Sequence, residues 1–453
     1  MSAIKKYFLT LALTTLGGTI VAQPYVAESR ATDSLHHSAT LSTFVARGLQ
    51  NNYQIRIVSN TEKVAENNAT KANAGYLPKV NLSGGYDAGL QSVKTKRSDG
   101  SSTTERNQLS HGLNAGVFAE WTVFDGFKIQ TNYKRLQELK KLSATQTRLS
   151  IEDFVADMAA EYYNFIQQKI RMRNLRNAVK LSKERLRIVH ERYLIGSGSK
   201  LAVKQAQVDF NADSARSLKQ HELLRSSAIR LNQMMANTDV NDRLRVVDTT
   251  INVNAELVME DLWQATLRNN ARMIKSAQNK TLAELDLKSI QSRDYPYLKL
   301  NANYSYRWNK YDEGPTDKRS NWGGNLGFTV GYKIFDGNRS RERRNAQIGI
   351  ENAELAQRDL ELALKADLAD LWQAYQNNLR LLDLERENLI TANENHEIAH
   401  ERYLLGDLSG IEMREAQQNL LDAEERLLIA EYNTKLCEIS LYQLSGNIMQ
   451  YAQ

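Results

Sequence analysis

A long internal duplication limits what this chain can fold into more than any other feature. Four short markers occur once in each half. The pairs are Leu49–Asn52 with Leu267–Asn270, Pro78 with Pro296, Phe124–Gly126 with Phe335–Gly337, and Glu191–Gly196 with Glu401–Gly406. The separation is 218 positions for the first two pairs, 211 for the third and 210 for the fourth, so the halves differ in length mainly between Pro78 and Phe124. Two similar halves indicate a protomer with internal pseudo-symmetry, and such folds often surround an axis.

The N-terminus has the pattern of a secretory signal peptide over residues 1–22. Lys5 and Lys6 precede an apolar run over 7–16, and small residues surround Ala22, after which we expect cleavage. The apolar run is too short for a membrane-spanning helix. Cleavage takes the formal net charge from +6 to +4, because the removed segment holds two lysines and no acid. The protein is therefore expected to be exported.

Charge and cysteine patterns argue against several kinds of partner and cofactor. Basic residues lie among acids along the predicted helices, which is typical of solvated faces rather than of a nucleic-acid groove. The sequence has one cysteine, Cys437, and neither a phosphate-binding P-loop nor a Rossmann glycine pattern. We therefore expect no nucleic-acid partner and no cofactor.

Four segments alternate apolar and polar residues with the period of a β-strand, at 79–90, 113–124, 297–309 and 325–335. Each has about 10 to 12 residues, the length that a tilted strand needs to cross a bilayer, and Tyr and Trp cluster near the strand ends. We expect the apolar faces to contact lipid. These faces include Trp121 and Val123 in the first half and Leu298, Leu300, Tyr304, Tyr306, Trp308, Phe328, Val330 and Tyr332 in the second. The alternative is two hairpins of a soluble sheet covered on one side.

Four strands cannot close a barrel on their own. An open sheet edge in lipid leaves backbone groups unpaired, at a cost of several kcal/mol each, and the smallest single-chain barrels have roughly eight strands. The chain must therefore combine its strands with those of further copies. Two copies give eight strands and a lumen largely filled by side chains, whereas three copies give twelve strands and a better channel. A homotrimer is the expected assembly.

Long stretches without proline predict helices that complete each half. The first repeat is 23–236, with helices at 39–76, 127–195 and 199–235; the second is 257–446, with helices at 257–293, 338–405 and 410–445. A linker at 237–256 joins the repeats, which we place at the waist of the helical body, and a tail at 447–453 follows them. Apolar residues recur every seventh position from Ile151 to Tyr193 and mostly so from Leu368 to Tyr403, which predicts left-handed coiled-coil packing. The fold class is an α+β membrane protein, with duplicated strand hairpins and long coiled-coil helices.

These features together resemble the TolC-like outer membrane efflux proteins, over nearly the whole mature chain. The resemblance rests on the signal peptide, the duplicated order, the Phe-Asp-Gly strand exits at 124–126 and 335–337, and the Arg-Tyr-x-x-Gly helix tips at 192–196 and 402–406. It implies a homotrimer whose twelve-stranded outer-membrane β-barrel continues as a periplasmic α-helical barrel. Such a trimer is a passive exit duct, in contact with outer-membrane lipid. It works with a periplasmic adaptor (membrane fusion) protein and an inner-membrane transporter, in a tripartite efflux pump or, alternatively, in type I protein secretion.

The resemblance also implies sites at the periplasmic end. Family members narrow this end with acidic side chains after the second tip, and the matching positions here are Glu412 and Glu415, with Tyr403 nearby. The acid that bonds this tyrosine in the family is replaced by Ala202, which puts that latch in doubt. Two solvated glutamates are the alternative interpretation. The expected adaptor-contact residues are Leu194, Ile195, Gly196, Leu404, Leu405, Gly406 and Leu408.

One motif suggests a different class of protein. His396-Glu397-Ile398-Ala399-His400 matches the H-E-x-x-H signature of zinc peptidases, in which two histidines bind zinc and the glutamate activates water. The sequence offers no third ligand at the extended-motif position, where Tyr403 also replaces a glycine, and His396 occupies a heptad core position. We therefore interpret the match as accidental and expect no enzyme. A periplasmic coiled-coil tether is a third possibility, which membrane fractionation would distinguish.

Overall fold

A computed structural model describes residues 39–312 and 317–452. The predicted signal peptide, residues 1–22, lies outside the described residues. Among the described residues, no helix combines the length and apolar character that a membrane-crossing helix needs.

The strands form one antiparallel sheet in the order β1-β2-β3-β4. They are β1 (Lys79–Lys96), β2 (Ser102–Asp125), β3 (Tyr297–Tyr311) and β4 (Lys318–Gly331). The first hairpin extends beyond the predicted limits of 90 and 113, because backbone pairing does not depend on an alternation of apolar and polar side chains. The fourth strand begins at 318 instead of 325 and ends at 331 instead of 335.

The register places the apolar residues of all four strands on one face. Leu82 pairs with Val117, which pairs with Tyr304. On the opposite face Asn81, Phe118, Asn303 and Asn325 form one row across the sheet. The large apolar side chains of the first face are mostly exposed in the single chain.

The helix predicted at 39–76 is wrong in one respect, because it is three helices. These are α1 (Leu41–Asn51), α2 (Tyr53–Asn68) and α3 (Lys71–Ala74). The break falls at Asn52, whose side chain accepts hydrogen bonds from the backbone N–H groups of Gln54 and Ile55 and so starts a new helix.

The helix predicted at 257–293 divides in the same way, into α6 (Met259–Asn269) and α7 (Ala271–Gln291), followed by a short 3₁₀ helix (Ser292–Asp294). Asn270 caps α7 as Asn52 caps α2. The recurring Asn-Asn pair of the sequence is therefore a duplicated helix break.

Two helical hairpins make up the rest of the fold. The first hairpin is α4 (Lys128–Leu194) with α5 (Lys200–Met234), and the second is α8 (Gly337–Leu405) with α9 (Gly410–Leu444). At a rise of about 1.5 Å per residue, α4 and α8 are each about 100 Å long. Near the tips the helices adjoin in the order α5-α4-α9-α8, and nearer the sheet in the order α2-α4-α7-α8.

Each capping asparagine also holds the far end of a returning helix. Asn52 donates a hydrogen bond to the carbonyl of Met234 (3.0 Å), and Asn270 donates one to the carbonyl of Leu444 (2.8 Å). The predicted linker is mostly irregular, with a single bridge between Ala39 and Val246. The predicted tail contains a short 3₁₀ helix that begins at Ile448, which is fully buried.

Candidate functional site

The apolar face of the sheet carries most of the residues expected to contact lipid. Leu298, Leu300, Tyr304, Tyr306, Trp308, Phe328 and Val330 all lie within β3 and β4, in register on that face. Tyr332 follows the end of β4 and is exposed beside it. Val123 has no partner in the pairing of β2 with β3, because the register shifts between Thr122 and Phe124, and Phe124 pairs with Leu298.

Aromatic residues mark both ends of this face. Towards the hairpin turns the rings of Tyr306 and Trp322 lie 4.7 Å apart, and the hydroxyl of Tyr86 lies 2.6 Å from Nδ1 of His111. At the other end Trp121 donates a hydrogen bond from its indole to the carbonyl of Tyr76 (2.9 Å). Two aromatic girdles around an apolar band are the pattern of a sheet that lies in a membrane.

At the opposite end of the molecule, both hairpins turn at a glycine. Gly196 and Gly406 adopt the left-handed conformation, with φ of 80° and 90°. In the second tip the N–H of Asp407 bonds to the carbonyl of Arg402 and that of Gly406 to Tyr403, the hydrogen bonds of a Schellman C-cap. A Cβ on either glycine would meet no heavy atom within 4 Å, so the backbone conformation and not the space favours glycine.

The tip residues expected to contact an adaptor fall into two groups. Leu194, Ile195, Leu404 and Leu405 are exposed, Ile195 by 78% and Leu405 by 79%. Leu408 instead packs against a buried cluster that joins the two hairpins. That cluster contains Val189, Ala206, Ala399, Tyr403, Met413 and Ala416. Leu408 therefore helps to hold the turn.

Tyr403 lies inside this cluster, with 3% of its surface exposed. Arg192, at the end of α4, donates a hydrogen bond to the carbonyl of Tyr403 (2.9 Å), and its guanidinium lies 5.0 Å from the centre of the tyrosine ring. Ala202 cannot supply a carboxylate at the first tip. In this chain an arginine, bonded to the tyrosine backbone, ties the two tips together.

Glu412 and Glu415 are both exposed at the start of α9, whereas Met413 and Ala416 beside them are buried. Glu412 also closes a capping box, since its carboxylate accepts from the N–H of Ser409 (3.0 Å) and the Ser409 hydroxyl accepts from its N–H (3.3 Å). The hydrogen bonds from Ser409 hold the pKa of Glu412 below its usual range. This carboxylate is therefore charged at neutral pH.

Sequence reasoning missed a buried ion network between the two hairpins. Asp213 accepts two hydrogen bonds from the guanidinium of Arg414 (2.6 and 2.9 Å) and one from the hydroxyl of Ser182. Arg185 pairs with Asp209 beside it. The signal was present in α5, where the buried positions at seven-residue spacing are Ala206, Asp213, Gln220 and Ser227. A carboxylate at such a position predicts a buried partner.

The H-E-x-x-H motif lies on α8 above the second tip. The rings of His396 and His400 stack with their centres 6.2 Å apart. Burial and the neighbouring His400 lower the pKa of His396. Among the residues that the structure describes, no group of three or more His, Cys, Asp or Glu side chains is placed to hold a metal ion.

An antiparallel sheet with one apolar face, joined to two helical hairpins about 100 Å long, is the architecture of an outer-membrane channel protein. A family model described as "Outer membrane efflux protein" matches residues 45–237 and 262–447. The chain therefore belongs to the outer membrane efflux protein family, whose members are channels of the outer membrane that extend into the periplasm, and not enzymes.

Individual relatives are distant in sequence but match 90% or more of this chain. The chain is 21% identical to outer membrane protein TolC of Vibrio cholerae, over 99% of this chain and 97% of TolC. Its fold is similar to that of the Campylobacter jejuni CmeC outer membrane channel, with a TM-score of 0.74, 15% identity and coverage of 90% and 85%. The outer membrane protein VceC from Vibrio cholerae gives a TM-score of 0.72 at 14% identity, covering 90% and 96%.

Proposed function

We propose that the protein is a passive homotrimeric exit duct in the outer membrane. In this proposal it works with a periplasmic adaptor protein and an inner-membrane transporter as a tripartite efflux pump. The proposal rests on the edges of the chain. On one side β1, α2 and α5 lack a further neighbour, and on the other side β4 and α8 lack one. Further copies can cover both edges by repeating one contact around an axis.

The sheet needs such a contact because it lies in lipid. In the described chain β1 and β4 each pair with a neighbour on one side only. A bilayer offers no hydrogen bonds to the outer edge of either strand, and each unpaired group costs several kcal/mol. Pairing β4 of one copy with β1 of the next removes both edges. Three copies close a barrel of twelve strands.

The helices show complementary apolar seams on the same sides. In α8 the exposed residues Ile348, Leu355 and Leu362 recur at seven-residue spacing. On the opposite side of the chain, α2 exposes Ile57 and Val64, and α5 exposes Leu201 and Val208, again seven residues apart. Apolar seams of this period pack as coiled coils. Closing the ring places α8 against α2 and α5 of the next copy.

The tips supply the proposed contact with an adaptor. Ile195 and Leu405 stand at the ends of α4 and α8, each directly before its turn glycine. Both side chains are largely exposed in the described chain. Exposed apolar side chains in a cluster mark interaction sites. An adaptor with apolar helix ends would bury them and so connect the duct to an energised transporter.

Glu412 and Glu415 supply the proposed periplasmic aperture. They lie three residues apart on one helix face, and a threefold axis would bring six carboxylates together. A ring of like charges in a narrow mouth attracts cations and slows the passage of anions. The capping hydrogen bonds from Ser409 lower the pKa of Glu412 in the single chain, which favours the charged form of this carboxylate.

Photocrosslinking in cells, combined with an efflux assay, tests this proposal. A photoreactive amino acid at Leu405 should capture a periplasmic adaptor, whereas one at the exposed Glu361 should not, because Glu361 lies about 65 Å further along α8. Deleting the gene should raise the cellular accumulation of fluorescent efflux substrates, and reintroducing the wild-type gene should lower the accumulation to its original level. Unchanged accumulation of every substrate tried, together with no crosslink at Leu405, would refute the proposal.

A further inference from the structure

We propose that the lipid-facing side of the sheet carries a binding surface for the phosphate groups of lipid headgroups in the outer leaflet. This surface, called the basic row, consists of His111 on β2, Lys310 on β3 and Lys318 on β4. The inference requires only that the sheet lies in the outer membrane. It goes beyond the proposed duct and depends neither on the number of copies nor on efflux.

The strand pairing places the three basic side chains next to one another. Lys310 pairs with His111 on one side and with Lys318 on the other. Directly opposed residues on neighbouring antiparallel strands have Cα atoms about 4.5–5.5 Å apart, and their side chains lie on the same face. A single anionic group of the size of a phosphate can therefore contact more than one member of the row.

The basic row belongs to the apolar face of the sheet. In β3 the side chains of Tyr304, Tyr306 and Trp308 lie on that face, and Lys310 follows Trp308 by two residues. Since side chains of a strand alternate between the faces, Lys310 and its partners share the face of these aromatic residues. By the same alternation Arg307 and Arg319 lie on the polar face, although they are close to the row in sequence.

The basic row also lies at the level of the lipid headgroups. The hairpin turns are at the end of the sheet opposite to the helices, which extend into the periplasm, so this end faces the outer leaflet. From Leu298 to Trp308 β3 advances ten residues, or about 34 Å along the strand and about 26 Å along the membrane normal at a tilt of about 40°. The apolar band of outer-membrane barrels is about 25 Å tall. Lys310 is thus the first residue of this face in β3 beyond that band.

The charges of the row are poorly compensated within the described chain. Lys310 and Lys318 are directly opposed, and like charges in this arrangement destabilise a sheet. Asp312 lies 3.9 Å from the ammonium of Lys310, and Asp317 lies 4.0 Å from that of Lys318, while the two lysine side chains are 44% and 61% exposed. Exposed ion pairs at such distances contribute little. A phosphate between the two ammonium groups would replace their repulsion by charge-assisted hydrogen bonds.

His111 adds a neutral donor beside the two lysines. The hydroxyl of Tyr86 lies 2.6 Å from its Nδ1, and the two rings stack with their centres 6.0 Å apart. When the phenol donates to Nδ1, the neutral imidazole carries its proton on Nε2. Tyr86 thereby holds the ring and leaves the Nε2–H group as a donor to an anion.

A phosphate-bearing lipid headgroup matches both the position and the chemistry of the row. Lysine stems can lie along apolar surface while their ammonium groups reach the headgroups, and an anionic membrane surface attracts them. The acyl chains of the same lipid would then contact the apolar face below the row. The aromatic residues between the two regions lie at the boundary of hydrocarbon and headgroup.

Native mass spectrometry of the detergent-solubilised protein tests this proposal. The probes are lipid A, a phosphorylated glycolipid, and the same lipid after removal of its phosphates. Wild-type protein should bind lipid A more tightly than the dephosphorylated form, and added salt should weaken this preference. The variant His111→Gln/Lys310→Gln/Lys318→Gln should bind lipid A about 30-fold more weakly, which corresponds to about 1 kcal/mol for each lysine at an anionic surface.

Matched variants separate the basic row from basic residues in general. Arg307→Gln with Arg319→Gln removes formal charges from the same two strands but on the opposite face, and should leave lipid A binding unchanged. Lys310→Arg with Lys318→Arg keeps both charges and should retain tight binding. Circular dichroism of each variant controls for loss of folding.

Equal affinity of the wild type for the phosphorylated and the dephosphorylated lipid would overturn the proposal, and this comparison needs no variant to fold. Equal weakening by the Arg307/Arg319 variant would overturn it too, because the phosphate would then not be bound on the lipid-facing side. Inorganic phosphate alone should not be retained by the wild type. Its retention at the concentrations that suffice for lipid A would assign the row to free phosphate and exclude the lipid.

Discussion

Replacing Asp213 by alanine tests the ion network that joins the two hairpins. The carboxylate is 1% exposed and is bonded by Arg414 and Ser182. Removing one member of a buried ion pair costs roughly 3–5 kcal/mol, because the other charge stays buried without its partner. The side chain of Arg414 is 19% exposed, and Asp209 lies 4.0 Å from it. We therefore expect Asp213→Ala to lower the free energy of unfolding by about 3 kcal/mol, the lower end of that range.

Replacing both Asp213 and Arg414 separates the net stabilisation by the ion pair from the penalty of leaving one charge unpaired. Asp213→Leu with Arg414→Leu removes both buried charges and should cost only about 1 kcal/mol, because well-packed apolar residues often replace a buried pair at little cost. The exposed pair of Lys219 and Glu222, on the same helix, provides the control. Removing its carboxylate with Glu222→Ala should cost under about 1 kcal/mol.

The measurement is urea unfolding of the detergent-solubilised protein, followed by the helical circular dichroism signal. A cost of less than about 1 kcal/mol for Asp213→Ala, similar to Glu222→Ala, would refute the reasoning. The double variant gives a second test. If the losses of unfolding free energy in Asp213→Leu and Arg414→Leu simply add in the double variant, the reasoning is also refuted, because residues in one network should couple.

The pH dependence of the same free energy gives a second check. Burial alone would raise the pKa of Asp213, but hydrogen bonds from Arg414 and Ser182 outweigh burial and lower it. A lowered folded-state pKa stabilises the fold above the unfolded-state pKa of about 3.9 and stops doing so as the pH falls through the folded-state value. The difference between wild type and Asp213→Asn should thus be constant from about pH 7 to 5 and shrink below about pH 4.

Three further substitutions test the other surfaces. Val330→Arg should destabilise the membrane-inserted sheet by about 2–4 kcal/mol if it lies near the bilayer midplane, and should lower the amount of trimer recovered in outer membranes. The neighbouring Thr329→Arg, on the water-facing side, should be tolerated. Equal losses of trimer would mean that the two faces are misassigned. Leu405→Glu should abolish efflux while trimers still reach the membrane, and normal efflux would exclude this tip from the adaptor contact. Glu412→Gln with Glu415→Gln should lower cation selectivity in planar bilayers while Gln keeps the capping box, and unchanged selectivity would place the constriction elsewhere.

Periodicity explains how much of the fold could be predicted. Strand alternation and heptads report on which faces are buried or meet lipid, so the four strands and the two hairpins were visible in the sequence. The ends of β1 and β2 were not, since Val93 is the one apolar residue among positions 91–96 and the ladder continues without an apolar alternation. The register shift at Val123 was hidden too, because the apolar alternation continues unbroken up to it.

The helix breaks and the buried network were missed for a different reason. An asparagine inside a helical pattern can cap a new helix or project into solvent. For Asn52 the hydrogen bonds that it accepts from the N–H groups of Gln54 and Ile55 distinguish the two, and they are visible only in the structure. Asp213 resembles the many solvated acids of these helices until Arg414 is placed against it by the other hairpin. Such contacts depend on tertiary packing, which local sequence does not contain.

The mass of the detergent-solubilised protein, measured by native mass spectrometry, tests the central claim most directly. Four strands with two unpaired edges need further copies to close a barrel, and the duct proposed here has three. We predict one dominant species with the mass of three mature chains, which persists when protein concentration is lowered. A dominant folded monomer that keeps its full strand content by circular dichroism would contradict the account.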